Sequence, residues 1–169
     1  MSRVVALDTE TTGISHRLGD RVIEIGAVEL VDGQVTGRQF HTCLQPGRAI
    51  HWAARRVHGI SDAMLVGKPR FADRAGDLLD FLAGAEMVAH NASFDVGFLD
   101  NELRLAGHPD GLARHCRITC SLKLARARWP GLPNKLDDLL QRLRIPHTRR
   151  LHGALLDAQL LAQVIGHLR

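Results

Sequence analysis

The chain reads as one α/β domain spanning residues 1–169, a mixed β-sheet flanked by helices. Three observations predict this. An apolar run, Arg3–Asp8, is followed by a second, Val22–Val31, and by a loosely alternating stretch, Gln34–Leu44. From residue 71 onward, helical spacing alternates with a short strand instead. Strands first, then helix–strand–helix alternation, is the pattern of a sheet with helices packed against it. Hydrophobic residues at 45% and charged residues at 24% supply a core for one domain and exclude disorder.

The elements follow in order. Asp32-Gly33 marks a hairpin turn between the second and third runs, so the first three strands read as antiparallel. Phe71–Leu82 and Ala92–Leu105 carry apolar residues at helical spacing, with the short strand Glu86–His90 between them. Ser121–Arg128 reads as a helix that stops at Trp129-Pro130. Asn134-Lys135-Leu136-Asp137 has the form of a capping box opening a helix over Leu136–Leu143, and Pro146 ends that unit. The last helix covers Gly153–Leu168.

Composition narrows the function classes. No apolar run approaches the ~20 residues that cross a bilayer, so no membrane role is expected. Asp8 and Glu10 fall where a signal peptide would need its apolar segment. Cys43, Cys116 and Cys120 are too few for a disulfide scaffold, and a cytoplasmic location is expected. The net charge is +4, and only three of the 22 basic residues are lysine. Arginine forks onto phosphate better than lysine does, so the balance leans toward a polyanionic partner. With 4% aromatic residues and no tyrosine, a base-stacking platform of many rings is not expected.

The chemistry concentrates in three places. The first strand delivers Asp8-Thr9-Glu10-Thr11-Thr12-Gly13, where residues two apart share a face and two carboxylates project side by side. Such a pair repels itself unless a cation neutralises it, and hard oxygen ligands suit Mg²⁺ or Mn²⁺. His90-Asn91-Ala92-Ser93-Phe94-Asp95 closes a strand and opens a helix, placing Asp95 in its first turn. In Leu151-His152-Gly153-Ala154-Leu155-Leu156-Asp157, a five-residue step turns a helix by roughly 500°. His152 and Asp157 therefore cannot share a helical face, and His152 is expected on the loop before the helix. There a histidine has the near-neutral pKa of a general base.

Together these segments resemble the DnaQ-like, DEDDh-type 3′→5′ exonucleases, and within them the epsilon-type proofreading branch. The resemblance rests on DTETTG at 8–13, IEIGAVE at 23–29, VHGISD at 57–62, HNASFDVGF at 90–98 and LHGALLDAQ at 151–159. It implies a ribonuclease H-like exonuclease fold and hydrolysis of the terminal phosphodiester of a DNA 3′ end with two divalent cations, Mg²⁺ or Mn²⁺. Asp8, Glu10, Asp95 and Asp157 would be the metal-binding acids and His152 the base. Asp8 would reach both ions, Glu10 and Asp157 the ion on the side of the attacking water, and Asp95 the other. Thr11, Thr12, His58, His90, Asn91 and Phe94, with Asp8, Glu10 and Asp157, would meet the terminal nucleotides. The implied partners are a single-stranded DNA 3′ end and the polymerase subunit of a DNA polymerase III. An RNA or oligonucleotide exonuclease, or an inactive binding module, are the alternatives on the same scaffold.

Two positions depart from the pattern. Ala53 stands where epsilon-type relatives usually carry an acid that meets the terminal nucleotide, so that contact is either lost or replaced, by Trp52 stacking or by Arg55 or Arg56 on phosphate. Cys120 stands where many relatives have aspartate. The basic run Arg142, Arg144, His147, Arg149 and Arg150 leads up to His152 and is a candidate phosphate guide.

Overall fold

The computed structural model describes residues 2–169. Its centre is a five-stranded sheet ordered β3-β2-β1-β4-β5, built from β1 (Arg3–Thr11), β2 (Val22–Val31), β3 (Gln34–Cys43), β4 (Glu86–Ala89) and β5 (Arg117–Cys120). β1, β2 and β3 pair antiparallel, whereas β4 and β5 join parallel to β1 and to each other. The helices are α1 (Trp52–His58), α2 (Phe71–Leu82), α3 (Ala92–Leu105), α4 (Ser121–Arg128), α5 (Leu136–Arg142) and α6 (Ala154–Ile165). Among the described residues, no helix is long and apolar enough to cross a membrane.

Alternation along β1 divides the core. Val5 and Leu7 join Ile25, Ala27 and Phe40 against α2 and α3, in a cluster that includes Leu78, Leu82, Phe98 and Leu103. Val4 and Ala6 join Val28, Leu30 and Val88 against Ala158, Leu161, Ala162 and Ile165 of α6. Because β1 is covered on both faces, its sequence is apolar at every position from 4 to 7. The run breaks at Asp8, where the sheet reaches its carboxyl edge.

α6 lies flush on β2 at Gly26. A Cβ there would stand 2.3 Å from the Leu155 backbone, so glycine is what allows the approach. At the opposite face, Glu102 of α3 takes a forked pair from Arg21 at 2.7 and 2.7 Å and the Val22 amide at 3.1 Å. These contacts fix the two functional helices against the same central strands.

The structure corrects several boundaries. β1 continues past Asp8 to Thr11, with a register shift between Glu10 and Thr11 after which Thr11 pairs with Val22. α6 starts at Ala154 and ends at Ile165, shorter than the expected Gly153–Leu168. At α5 the capping acid is Asp138, whose Oδ2 accepts the Lys135 amide at 2.8 Å, and not Asp137. Asn134 instead spends its side-chain amide on the Trp129 and Leu132 carbonyls. α1 and β5 were not expected at all: α1 has seven residues, and β5 is the polar tetrapeptide Arg-Ile-Thr-Cys.

Candidate active site

Asp8 and Glu10 stand two residues apart on β1, facing Gly26 and Glu24 of β2. Both therefore project to the α6 side, as the strand period requires. Asp95 enters from the first turn of α3, where its Oδ1 accepts the Thr9 amide at 3.1 Å and the Thr9 hydroxyl at 2.7 Å. Its approach is set by Asn91, which opens α3 in the left-handed region at φ 67°. Asp157 comes from α6, and His152 from the loop before it, with Nδ1 3.3 Å from Asp157 Oδ2. The expected geometry holds: His152 is outside the helix and Asp157 inside it.

Ligand atoms of Glu10, His152 and Asp157 lie within 4.8 Å of one another. The electrostatics are severe. Burial first, and then the charges of Asp157, Glu24 and Asp95, push Glu10 up to about 8. Burial raises Asp95 to about 7 despite the hydrogen bonds from Thr9. Asp8 is held well above the usual carboxylate range by burial and then by Asp95, Glu10 and Asp157, with Arg149 opposing. Several carboxyls forced together in apolar surroundings form a site that favours a cation. Asp157 Oδ1 is already met by a cation, the Arg149 guanidinium at 2.6 Å.

The remaining expected residues surround this cluster in different ways. His90 and Asn91 line a cleft of about 780 Å³ that Asp8, His152 and Asp157 also face. Both His90 nitrogens are engaged, Nδ1 with Ser121 Oγ and Nε2 with the Asn134 carbonyl, each at 2.9 Å, and burial lowers its pKa. His58 is buried; its Nδ1 accepts the Ile60 amide at 3.0 Å, so Nε2 donates to the Thr11 carbonyl at 3.1 Å. Thr11 spends its hydroxyl on the Gly13 carbonyl at 2.6 Å. Thr12 is fully buried, its hydroxyl on Asp20 at 2.9 Å and its amide on the Arg21 carbonyl at 2.8 Å. These two threonines and His58 thus shape the turn beyond β1. Phe94 packs against Phe98 with ring centroids 4.8 Å apart and borders a second, shallower depression with Asn91.

Three contributors escaped the sequence reading. Glu24 accepts the first amide of α6, Ala154 N, at 3.1 Å with one oxygen and His41 Nε2 at 2.8 Å with the other. Glu24, His41 and Cys43 bring ligand atoms within 4.8 Å, but both Glu24 oxygens are already engaged, and the carboxylate acts as a cap for α6. The Val57 carbonyl of α1 accepts the His152 amide at 3.0 Å and so holds the histidine loop. Asp137, released from capping, binds Arg149 at 2.7 Å. Ala53 is exposed on α1 beside Trp52, which is 71% exposed and carries Arg56 over its ring at 5.7 Å.

Fold and site together define a phosphodiester hydrolase whose acids gather at the carboxyl edge of a mixed sheet. Residues 5–165 match the family described as Exonuclease, and the chain belongs to that family. It is 48% identical over 170 residues to the DNA polymerase III subunit epsilon of Salmonella typhimurium, covering 97% of this chain and 70% of that one. The epsilon subunit of Escherichia coli is 46% identical over 170 residues, with the same coverage of 97% and 70%. Among solved structures, exonuclease X in complex with 5′ overhanging duplex DNA superposes with a TM-score of 0.75 at 27% identity, covering 99% of this chain and 90% of that one. E. coli exonuclease I in complex with a dT13 oligonucleotide superposes at 0.83, covering 99% of this chain and 40% of that one; at 19% identity it attests the fold alone. The chain is a 3′→5′ exonuclease that hydrolyses phosphodiester bonds, a chemistry that in this family uses divalent metal ions.

Proposed function

We propose that the chain removes nucleoside 5′-monophosphates from single-stranded or frayed DNA 3′ ends and proofreads for a DNA polymerase III. The observation that carries this reading is the convergence of Glu10, Asp157 and His152 within 4.8 Å, beside Asp8 and Asp95. The relatives named as polymerase III epsilon subunits support the partner.

The donor set fits a pair of hard cations. Asp8, Glu10, Asp95 and Asp157 offer only carboxylate oxygens, and burial with their mutual repulsion raises Asp8 and Glu10 above the usual carboxylate range. Two divalent ions bound there, Mg²⁺ or Mn²⁺, would supply Lewis-acid polarisation of the scissile phosphate and charge neutralisation at the leaving oxygen. The four carboxylates would hold those ions in place. His152 takes the proton of the attacking water: its ring is 44% exposed, and its amide anchors it to Val57. Asp157 Oδ2 orients the ring from the Nδ1 side. The cleft bordered by His90 and Asn91 receives the terminal nucleotides. Selection for frayed ends follows from the cost of unpairing, which a mismatched terminus has already met.

The test uses 5′-labelled single-stranded DNA, a matched RNA and a blunt duplex, with Mn²⁺ or with EDTA. The expected result is metal-dependent laddering of the DNA from its 3′ end, abolished in Asp157→Asn, with the duplex cut more slowly. Strong cleavage of RNA with little of DNA would overturn the substrate assignment. Full activity in Asp157→Asn would overturn the site.

A further inference from the structure

Arg149 lies between α5 and α6 in a segment without regular secondary structure, yet its side chain is only 4% exposed. One guanidinium nitrogen, Nη1, stands 2.6 Å from Asp157 Oδ1. The other, Nη2, stands 2.7 Å from Asp137 Oδ1 and 3.4 Å from His152 Nε2. A solvated basic loop is therefore the wrong description of this residue. The two contacts differ in surroundings: Asp157 is buried within the acid cluster, whereas Asp137 is 58% exposed at the rim and outside that cluster. Each aspartate meets a single guanidinium nitrogen, so neither pair has the two-bond fork of the strongest arginine–carboxylate contacts. A divalent cation bound by the acid cluster would compete with the guanidinium for Asp157 Oδ1.

We infer that Arg149 is the resident counter-cation of the acid cluster, occupying Asp157 until a divalent ion takes that carboxylate, after which Asp137 alone holds the guanidinium at the rim beside His152. The inference rests on the acid cluster being the metal centre. It makes Arg149 a positioning residue with two states. In the first it neutralises a buried acid that would otherwise face three others. In the second its freed prong sits next to the base, at the mouth of the cleft. Metal binding thereby acts on the same loop that carries His152, because Arg149 and His152 are three residues apart on it.

The experiment is a calorimetric Mn²⁺ titration of the whole chain as wild type, Arg149→Gln and Arg149→Lys. Removing a positive charge from beside an ion-binding carboxylate should tighten Mn²⁺ binding by about tenfold or more in Arg149→Gln. Arg149→Lys, which keeps the charge, should stay close to wild type. A purely structural role predicts the opposite sign, since a loosened loop would weaken binding in Arg149→Gln. A second measurement needs no variant: in a Mg²⁺ titration followed by NMR, the Arg149 Nε–H resonance should shift and its exchange with water should accelerate. Equal Mn²⁺ affinity in wild type and Arg149→Gln, or an unmoved Arg149 signal on saturation, would overturn the inference and leave the metal centre standing. No Mn²⁺ binding to the wild type would overturn both.

Discussion

Glu10 and Asp95 are carboxyls whose surroundings work against their own ionisation. Burial, and in Glu10 the neighbouring acids, hold them near about 8 and about 7, against 4.5 and 3.8 for the free groups. An acid whose folded pKa is raised binds its proton more tightly folded than unfolded, so stability falls as pH rises between the two values. Without metal, the protein should therefore lose stability from about pH 5 to about pH 8, each such group contributing at most about 1.4 kcal/mol per pH unit. Thermal melts in EDTA across this range should show the decline, Glu10→Gln should flatten it, and Mn²⁺ should restore stability at pH 8. A flat melting profile in EDTA would show that these carboxyls ionise normally. The acids themselves were legible in the sequence because the strand period puts Asp8 and Glu10 on one face. Arg149 was visible only as part of a basic run, since nothing in local spacing says that Asp137 and Asp157, on two different helices, close upon it.

At the scale of elements, the site depends on how closely α6 lies against β2. Gly26 sets that distance, and Leu155, which a Cβ would strike, lies between His152 and Asp157. Gly26→Ala should cost about 1–3 kcal/mol of stability. It should also lower kcat by more than the residual folded fraction explains, because the clash displaces the base and a metal-binding acid together. Gly76→Ala on α2, where nothing lies within 4 Å of the added carbon, is the control and should be neutral or mildly stabilising. Activity of Gly26→Ala in proportion to its folded fraction would show that α6 tolerates displacement. Elements of this kind were readable wherever periodicity was long, as in Phe71–Leu82 and Ala92–Leu105, whose predicted bounds the structure reproduces. The short ones escaped. β5 has no apolar run because it is an edge strand with one residue in four charged, stabilised by its ladder to β4. α1 has two arginines and a tryptophan on an exposed surface and buries only His58, so no amphipathic stripe announces it.

For the molecule as a whole, a net charge of +4 matters less than where the charge is free. Arg142 is engaged by Asn134 Oδ1 at 3.0 Å and the Pro133 carbonyl at 2.6 Å, and Arg149 by its two aspartates. Arg150, next to Arg149 with its buried side chain, is exposed, so of the run's arginines Arg150 and Arg144 are presented, with His147 exposed between them. On the other side of His152, the loop is tied to α1, whose Arg55 and Arg56 are also exposed. The phosphate track thus divides into two short arms flanking the base. Each phosphate contact on a single strand contributes about 0.7 to the slope of log affinity against log salt concentration. Arg150→Ala should therefore reduce that slope for a single-stranded oligonucleotide by about 0.7. Cleavage of a small mononucleotide ester, which has no further phosphates to guide, should be left unchanged. Binding isotherms at several salt concentrations measure the slope directly. A slope identical to wild type would remove Arg150 from the track and leave it to Arg144 and to Arg55 and Arg56 on α1.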